Sequence, residues 1–390
     1  MKLACERKDL MKALTTIVRL VNINLDERAI NFGSNLYLNA NKELNLLELV
    51  SVGATNEVKI NIAADIQKEG NIVVPIKKIQ ELINKLPEKP INLEVKKTVL
   101  GINCNNQYKA NLNGMEGSKR IEEYKIPAEL EEIPLSAIQF KQMVKNVSFA
   151  TKKDDSNFSS VCIQFGYNKK NRNAFRMVGL DGDRVALSQE EGDIKVKEKI
   201  QYLISSKIIN EIANTIDNDE AKDNLVITSD ENKVIFSYKN IRIITPYFKG
   251  AYPNFDILFP NEIDFYILIN KQDFFNGANF SMSLESEKEN STLFQLEDNK
   301  IIMTTISIDQ GDLTTIIDMK PSAEDLKFEP IKISSKKLWD VLKIVPTEKI
   351  LLSTTKSNGN FLLLPYVDGT EVDMGNIGSI AFQYLQSPTR

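Results

Sequence analysis

The chain has 390 residues, 42% of them hydrophobic and 26% charged, with a formal net charge of −4; that suffices for two or three domains with separate cores and gives no overall attraction to polyanions. Histidine is absent, which excludes every triad built on imidazole and the commonest general base and zinc ligand. Three isolated cysteines, Cys5, Cys104 and Cys162, fit neither a disulfide framework nor a paired metal site and read as buried thiols. No apolar run approaches a membrane span and the opening MKLACERKDL lacks a signal peptide's apolar core, so a cytoplasmic protein without a cofactor is expected.

In chain order, residues Arg7 to Val21 set Leu10, Leu14, Ile17, Val18 and Val21 on one face and Lys8, Lys12 and Arg19 elsewhere, the pattern of an amphipathic helix. Pro75–Leu86 repeats that period with Ile79, Leu82, Ile83 and Leu86, and Pro75 suits a first helical position. The stretch from Ile126-Pro127 to Ile133-Pro134 predicts a joint, because proline discourages helix. Ser136–Phe149 carries Phe140, Met143, Val144 and Val147 opposite Lys141 and Lys145, and Ser205–Ile216 carries Ile209, Ile212, Ala213 and Ile216 behind a serine N-cap. Leu225–Tyr238 reads as an antiparallel hairpin, and Pro260-Asn261-Glu262 as a second joint. A helix from Lys271 is weaker: Gly277 interrupts Phe274, Phe275, Ala278 and Phe280, and Asn276 stands where Lys12 and Lys141 stand. Ser334–Val345 brings Leu338, Val341, Leu342 and Val345 behind Ser334, and Leu351–Tyr366 reads as a hairpin turning at Asn358-Gly359.

The second helices place Lys77, Lys207 and Lys336 at matching positions about 130 residues apart, so the chain reads as a threefold repeat of helix, strands, helix, strands, an α+β fold. Side by side at about 9 Å between axes, six helices would close a ring about 17 Å across, too narrow for a duplex once helix thickness is removed. Twelve, from two chains, would leave a bore of about 24 Å. A dimer ring would therefore encircle DNA, holding it by topology with lysines that grip loosely. The cations expected to face DNA are Lys8, Lys12, Arg19, Lys77, Lys78, Lys85, Lys141, Lys145, Lys152, Lys207, Lys271, Lys336, Lys337 and Lys343.

Several segments resemble the bacterial sliding clamp, the beta subunit of DNA polymerase III, over about residues 1 to 366. MKLACERKDLMKAL is similar to that family's opening strand and helix, and Val73-Val74-Pro75-Ile76-Lys77-Lys78 with Leu86-Pro87-Glu88 to its second helix. Met177-Val178-Gly179-Leu180-Asp181-Gly182-Asp183-Arg184-Val185-Ala186-Leu187 resembles its A-T-D-G-H-R-L-A segment, Gly250-Ala251-Tyr252-Pro253-Asn254-Phe255 its G-x-F-P-D-Y, and Leu362-Leu363-Leu364-Pro365-Tyr366 its C-terminal strand V-V-M-P-M. The resemblance implies a DNA-clamp fold of three similar domains, each with two helices packed on antiparallel sheets, assembled as a head-to-tail dimeric ring. It implies domains at 1–127, 128–260 and 261–366, with 367–390 an extension. Implied partners are double-stranded DNA, bound without sequence preference, and the replicative polymerase, clamp loader and repair proteins. These proteins would dock short linear motifs in an apolar pocket.

Carried over by motif, that pocket comprises Leu180, Gly182, Asp183, Arg184 and Val185, then Pro253, Ile257 and Leu258, then Leu362, Leu363, Leu364, Pro365 and Tyr366, with Asn157 and Ser160 on its rim. Asp183 replaces the usual histidine, Asn157 an arginine, and Ile257 a common basic residue, which implies an altered peptide preference. At the dimer interface Leu112 and Leu284 fit the family's apolar pattern, whereas Ala110 and Glu285 depart from it, and the usual arginine near Asn24 is missing. In the extension, Ile380-Ala381-Phe382-Gln383-Tyr384-Leu385-Gln386 resembles a clamp-binding peptide and is expected to fold back near the pocket or pair with a neighbouring strand. Two other readings compete: a ring-less interaction module, and an enzyme holding a divalent cation between Asp181 and Asp183. Asp-Gly-Asp is more often a turn.

Overall fold

Period-two burial marks the strands: along Asn35–Asn41 the residues Leu36, Leu38 and Ala40 are buried and their neighbours half-exposed, as one covered sheet face requires. The computed structural model describes the chain except for residues 22–34, 54, 118–123, 128, 155, 168–173, 192–193, 195, 219–222, 249, 286–290, 324–325, 327–328, 356–358 and 390. Asn24 and Asn358 therefore lie outside the described residues.

The elements recur three times. The first copy runs β1 (Lys2–Cys5), α1 (Arg7–Val21), β2 (Asn35–Asn41), β3 (Leu46–Val52), β4 (Glu57–Ala63), β5 (Asp65–Lys68), β6 (Gly70–Pro75), α2 (Ile76–Asn84), β7 (Ile91–Lys96), β8 (Val99–Cys104) and β9 (Tyr108–Asn113). The second runs β10 (Ile133–Ser136), α3 (Ala137–Ser148), β11 (Ser160–Tyr167), β12 (Ala174–Leu180), β13 (Arg184–Glu191), β14 (Ile200–Ser205), α4 (Ser206–Asn214), β15 (Asn224–Ser229), β16 (Lys233–Tyr238) and β17 (Ile241–Pro246). The third runs β18 (Ile267–Asn270), α5 (Lys271–Ser281), β19 (Thr292–Glu297), β20 (Lys300–Ser307), β21 (Gly311–Pro321), β22 (Ile331–Ile333), α6 (Ser335–Leu342), β23 (Lys349–Thr354), β24 (Phe361–Tyr366) and β25 (Phe382–Gln386). In every copy the strand before the first helix joins the three after the second, as β1-β7-β8-β9, β10-β15-β16-β17 and β18-β23-β24-β25. The strands between the helices form β6-β2-β3-β4, β14-β11-β12-β13 and β22-β19-β20-β21.

Two compact units result, one of residues 1–141 with 207–247 and one of 142–206 with 248–390. In the first, β4 of the first copy pairs antiparallel with β17 of the second, Glu57 opposite Ile244 and Ile60 opposite Ile241. The other unit repeats this joint between β13 and β25, Val185 opposite Leu385 and Ser188 opposite Phe382. Residues 367–390 are thus not an appendage: as expected, the segment pairs with neighbouring strands, β13 and β24, but it contains the third copy's closing strand, equivalent to β9 and β17, which corrects the boundary drawn at 366. What disguises it is the connection before it, residues 367–381, where the sibling connections are only 105–107 and 239–240.

The helices begin close to their sequence signals. Pro75 is the cap residue rather than the first helical one, at φ −63° and ψ 117°, while the Ser334 side chain accepts the backbone N–H of Lys337 at 3.5 Å. Gly277 does not interrupt α5. A Cβ there would stand 2.9 Å from Ile317 and 3.2 Å from Met303, so the glycine lets the helix press against β20 and β21. The cores are conventional: Leu10, Leu14 and Ile17 on α1 and Leu338 and Val341 on α6 have no exposed surface, each contributing about 1.5–3 kcal/mol of hydrophobic burial. All three cysteines are buried and unpaired; burial pushes the Cys5 and Cys162 thiols up to about 12.

Candidate functional site

The turn between β12 and β13 is over-determined by its own side chains. Gly182 holds φ at +101°, a region glycine enters without penalty. Asp181 Oδ1 accepts the backbone N–H groups of Asp183 and Arg184 at 3.0 Å each, and Oδ2 accepts Arg184 Nε at 2.9 Å. Arg184 continues outward to Asp340 Oδ2 at 3.1 Å and the Phe149 carbonyl at 2.9 Å, and Lys337 pairs with Asp183. Burial opposes the guanidinium charge, but Tyr384, Asp181 and Asp340 around it outweigh that and raise its pKa. Asp181 and Asp183 are therefore the anchors of a turn tied to α6, as the Asp-Gly-Asp turn reading expects and against the divalent-cation reading: both Asp181 oxygens are taken by Arg184 and backbone, and Asp183 pairs with Lys337 through one.

On the other side of this turn lies an apolar cluster. Leu180 and Val185 pack with Phe255, Phe259, Ile263, Leu362, Leu364 and Leu385, and Phe158, Tyr252, Leu258 and Tyr366 sit half-buried at its margin. Ile257 is 73% exposed, and Asn157, Gly182, Asp183 and Pro253 are also exposed while Pro365 is half-buried. Two expected pocket members are displaced. Ser160 is fully buried inside β11 rather than on a rim. Leu362–Tyr366 is an interior strand between β23 and β25, so Leu363 points away from Leu362 and Leu364 by the period of the strand and lies outside the cluster. The strand beside β13 is β25, and its Leu385 supplies the contact assigned to that stretch.

Sequence reasoning also missed a buried ion pair that fixes the segment ahead of Leu258. Arg176, 3% exposed, donates to Asp256 at 2.8 Å and 3.3 Å and to Gln164 Oε1 at 2.7 Å. Its guanidinium lies 5.3 Å from the Phe255 ring centre. An arginine within an otherwise apolar strand was the available signal.

The cations divide into committed and uncommitted groups. Arg7 donates to the carbonyls of Ile83 (3.1 Å) and Asn84 (2.8 Å), Lys141 to that of Ile216 (2.7 Å), and Lys271 to that of Val345 (2.9 Å). In all three copies a cation from the first helix thus satisfies the C-terminal end of the second, where the carbonyls and the helix dipole favour it. Lys141 and Lys271, expected to face DNA, are committed to this contact. Lys12 pairs with Asp217 at 3.0 Å, Lys337 with Asp183, and Lys343 with Asp340 at 3.7 Å beside the Trp339 ring. Lys85 and Lys78 both bind Glu81, at 2.8 Å and 3.0 Å, and draw its carboxyl down to about 2. Lys8, Arg19, Lys77, Lys145, Lys152, Lys207 and Lys336 are exposed and carry no ion pair among the described residues. The matched trio Lys77, Lys207 and Lys336 stays wholly in this group.

Two strand edges stand out. β9 ends the five-stranded sheet, with Ala110 half-buried and Leu112 9% exposed. Apart from β20, β21 pairs among the described residues only with β18, through Met319, Lys320 and Pro321. Leu284 is half-buried. Glu285, expected at a dimer interface, caps its own α6: its carboxylate accepts the N–H of Ser335 at 2.6 Å and of Lys336 at 3.3 Å, where an anion is favoured.

Residues 1–127 match the family model of the DNA polymerase III beta subunit N-terminal domain, and residues 134–254 that of its central domain; together they span more than half of the chain. A beta sliding clamp of Bacillus subtilis is 24% identical over 315 residues, 79% of this chain and 80% of the relative. Among solved structures, a putative DNA polymerase III beta subunit from Eubacterium rectale aligns over 100% of both chains with a TM-score of 0.81 at 21% identity. A sliding clamp from Pseudomonas aeruginosa bound to griselimycin aligns over 100% of this chain and 99% of that one, with a TM-score of 0.85 at 18% identity.

Proposed function

The chain belongs to the family of the bacterial DNA polymerase III beta subunit, the sliding clamp of DNA replication, and from that premise we propose that two copies close head to tail into a ring around duplex DNA. The observation that carries this reading is the joint used twice within the chain. Each copy's fourth inner-sheet strand pairs with the next copy's closing strand, β4 with β17 and β13 with β25. One such strand of each kind is left over: β21 at the end of the series and β9 at its beginning. Joining them between protomers applies the same rule a third time.

The internal joints also supply a register. With Glu57, Val185 and Asp312, which pair with Val52, Leu180 and Ile306 of their preceding strands, as equivalent positions, the partners Ile244 and Leu385 correspond to Asn111. In the proposed interface Asp312, Leu313, Thr314 and Thr315 therefore face Asn111, Ala110, Lys109 and Tyr108 of the partner subunit. Three domains, at about 1–127, 128–260 and 261–390, make up each protomer in this reading; the last absorbs the segment 367–390. Lys77 and Lys207, with Lys8, Arg19 and Lys145, are the cations we assign to the DNA. They act as mobile point charges whose modest number suits sliding over gripping.

The apolar cluster around Leu180, Val185, Leu258 and Leu385 is our candidate anchor for short segments of the replicative polymerase, clamp loader and repair proteins, since a few buried side chains supply most of the affinity in such docking. The clamp performs no chemistry of its own in this reading. No helix among the described residues is long and apolar enough to cross a membrane, and we assign it to the cytoplasm. Loading onto closed circular DNA with a clamp loader is the test: retention until the circle is cut is expected, and equal loss before and after cutting would refute the ring.

A further inference from the structure

Beside the apolar cluster lies a site of opposite character. A cavity of about 920 Å³ opens between the segment after α3, the turn Asp181–Arg184 and the start of α6. Every acid on its wall is already satisfied: Asp181 and Asp340 bind Arg184 at 2.9 Å and 3.1 Å, Asp183 binds Lys337, and Glu285 accepts the Ser335 N–H at 2.6 Å. Three wall lysines are not. Lys152, Lys153 and Lys336 are exposed and have no anionic partner among the described residues. Against four carboxylates the wall sets five cations, so the cavity keeps a small positive excess, presented by Lys152, Lys153 and Lys336 on a rigid frame.

We propose that this cavity receives the acidic flank of a partner segment, two or three carboxylates lying next to its apolar anchor. The inference rests on the reading of the apolar cluster as the anchor site. Two observations join the sites. The turn whose Asp183 and Arg184 line the cavity is flanked by Leu180 and Val185 of the cluster. The Lys152 amine lies 5.2 Å from the ring centre of Phe158, a residue on the cluster's margin. An extended peptide advancing about 3.3 Å per residue crosses from one to the other within a few residues. The four wall carboxylates make the cavity less suited to a run of phosphates, and it is too small for a duplex. Exposed lysines set partner choice and association rate more than they add raw affinity, so this site selects among anchored segments.

The test uses the full chain and two labelled synthetic dodecapeptides sharing a leucine-phenylalanine anchor, one followed by three glutamates and the other by three glutamines. At low salt the glutamate peptide is expected to bind about tenfold more tightly, the sum of three weak exposed pairs. High salt should shrink that gap. A variant with Lys152→Gln, Lys153→Gln and Lys336→Gln should bring the glutamate peptide down to the affinity of the glutamine peptide. Equal affinities in the unaltered chain would overturn the proposal while leaving the anchor reading intact, and failure of both peptides to bind would remove both. Displacement of the glutamate peptide by a thymidine dodecamer would overturn it in favour of nucleic acid.

Discussion

If β25 is a structural strand, truncating its buried side chains must destabilise the unit as core substitutions do. Tyr384 is the sharpest probe. Its side chain has no exposed surface, its ring stacks on Phe149 at 6.0 Å between centres, and its hydroxyl meets Gln386 Oε1 at 2.9 Å and the Lys337 carbonyl at 3.3 Å. Burial pushes the phenol's pKa up, so it remains protonated and keeps donating throughout the pH range in which the protein is studied. Tyr384→Ala removes a fully buried aromatic ring, about 3–5 kcal/mol. Tyr384→Phe deletes only the hydroxyl and should lose about 1 kcal/mol. Val367, 61% exposed on the preceding connection, is the control, and Val367→Ala should stay within about 0.5 kcal/mol. Urea unfolding followed by fluorescence or circular dichroism reads all three as shifts in midpoint. A Tyr384→Ala midpoint equal to that of the control would show residues after 366 to be a detachable arm, and would refute both the closing-strand assignment and the interface register derived from it.

Three further outcomes are expected. Ala110→Cys combined with Leu313→Cys should form disulfides between protomers, since directly opposed strand residues lie about 4.5–5.5 Å apart between Cα atoms, within disulfide range; cross-linking of Ala110→Cys with Thr315→Cys instead, read on a non-reducing gel, would refute the register. Lys141→Met and Lys271→Met should each lower stability by about 0.3–1 kcal/mol through the lost helix-end contact, whereas Lys77→Met and Lys207→Met should leave unfolding unchanged and reduce the salt slope of DNA affinity by about one each. Lys12, and then Lys239, hold the Asp217 carboxyl below its usual value. A depressed carboxylate contributes stability present above its unfolded pKa and lost as pH falls through the folded one, so Lys12→Met should flatten the decline in stability below about pH 4, and an unchanged acid limb would refute that contact.

Which parts of this were legible in the sequence follows from where each signal resides. Helix starts were local: Ser334 and the apolar steps at Leu338, Val341 and Leu342 place α6 within a residue of its observed start. The third closing strand was legible only as a segment that pairs with a neighbour; its equivalence to β9 and β17 was not, because a connection of residues 367–381 breaks the spacing those strands keep. Residues 361–366 then stood in for it, being as apolar as a family C-terminal strand. Charge was legible, but its destination was not. Nothing in the sequence around Lys141 or Lys271 distinguishes a lysine that reaches the carbonyl of Ile216 or Val345 from one pointing to solvent, since the acceptor lies about 75 residues away. Glu285 shows the same limit: an acid where apolar residues were expected is explained only by the α6 N-terminus that folds against it.

The unpaired edges also constrain what assemblies are possible. A joint between β9 and β21 is heterologous, two different surfaces meeting, and such joints either close into a ring or propagate as an open filament. The exposed isoleucines make the open form hazardous: Ile306 and Ile316 on β20 and β21 are 65% and 60% exposed, and a free edge beside apolar side chains templates further pairing. Closure pairs both of these edges at once. The polar character of β9, with Lys109, Asn111 and Asn113 exposed, limits self-association of like edges, because β9 against β9 in full antiparallel overlap would set the exposed Lys109 opposite the buried Leu112, while β9 against β21 sets Lys109 opposite Thr314. The assembly is thus expected to hold one discrete size over a wide range of concentration. Mass that climbs continuously with concentration would mean that the third joint does not have the geometry of the two within the chain.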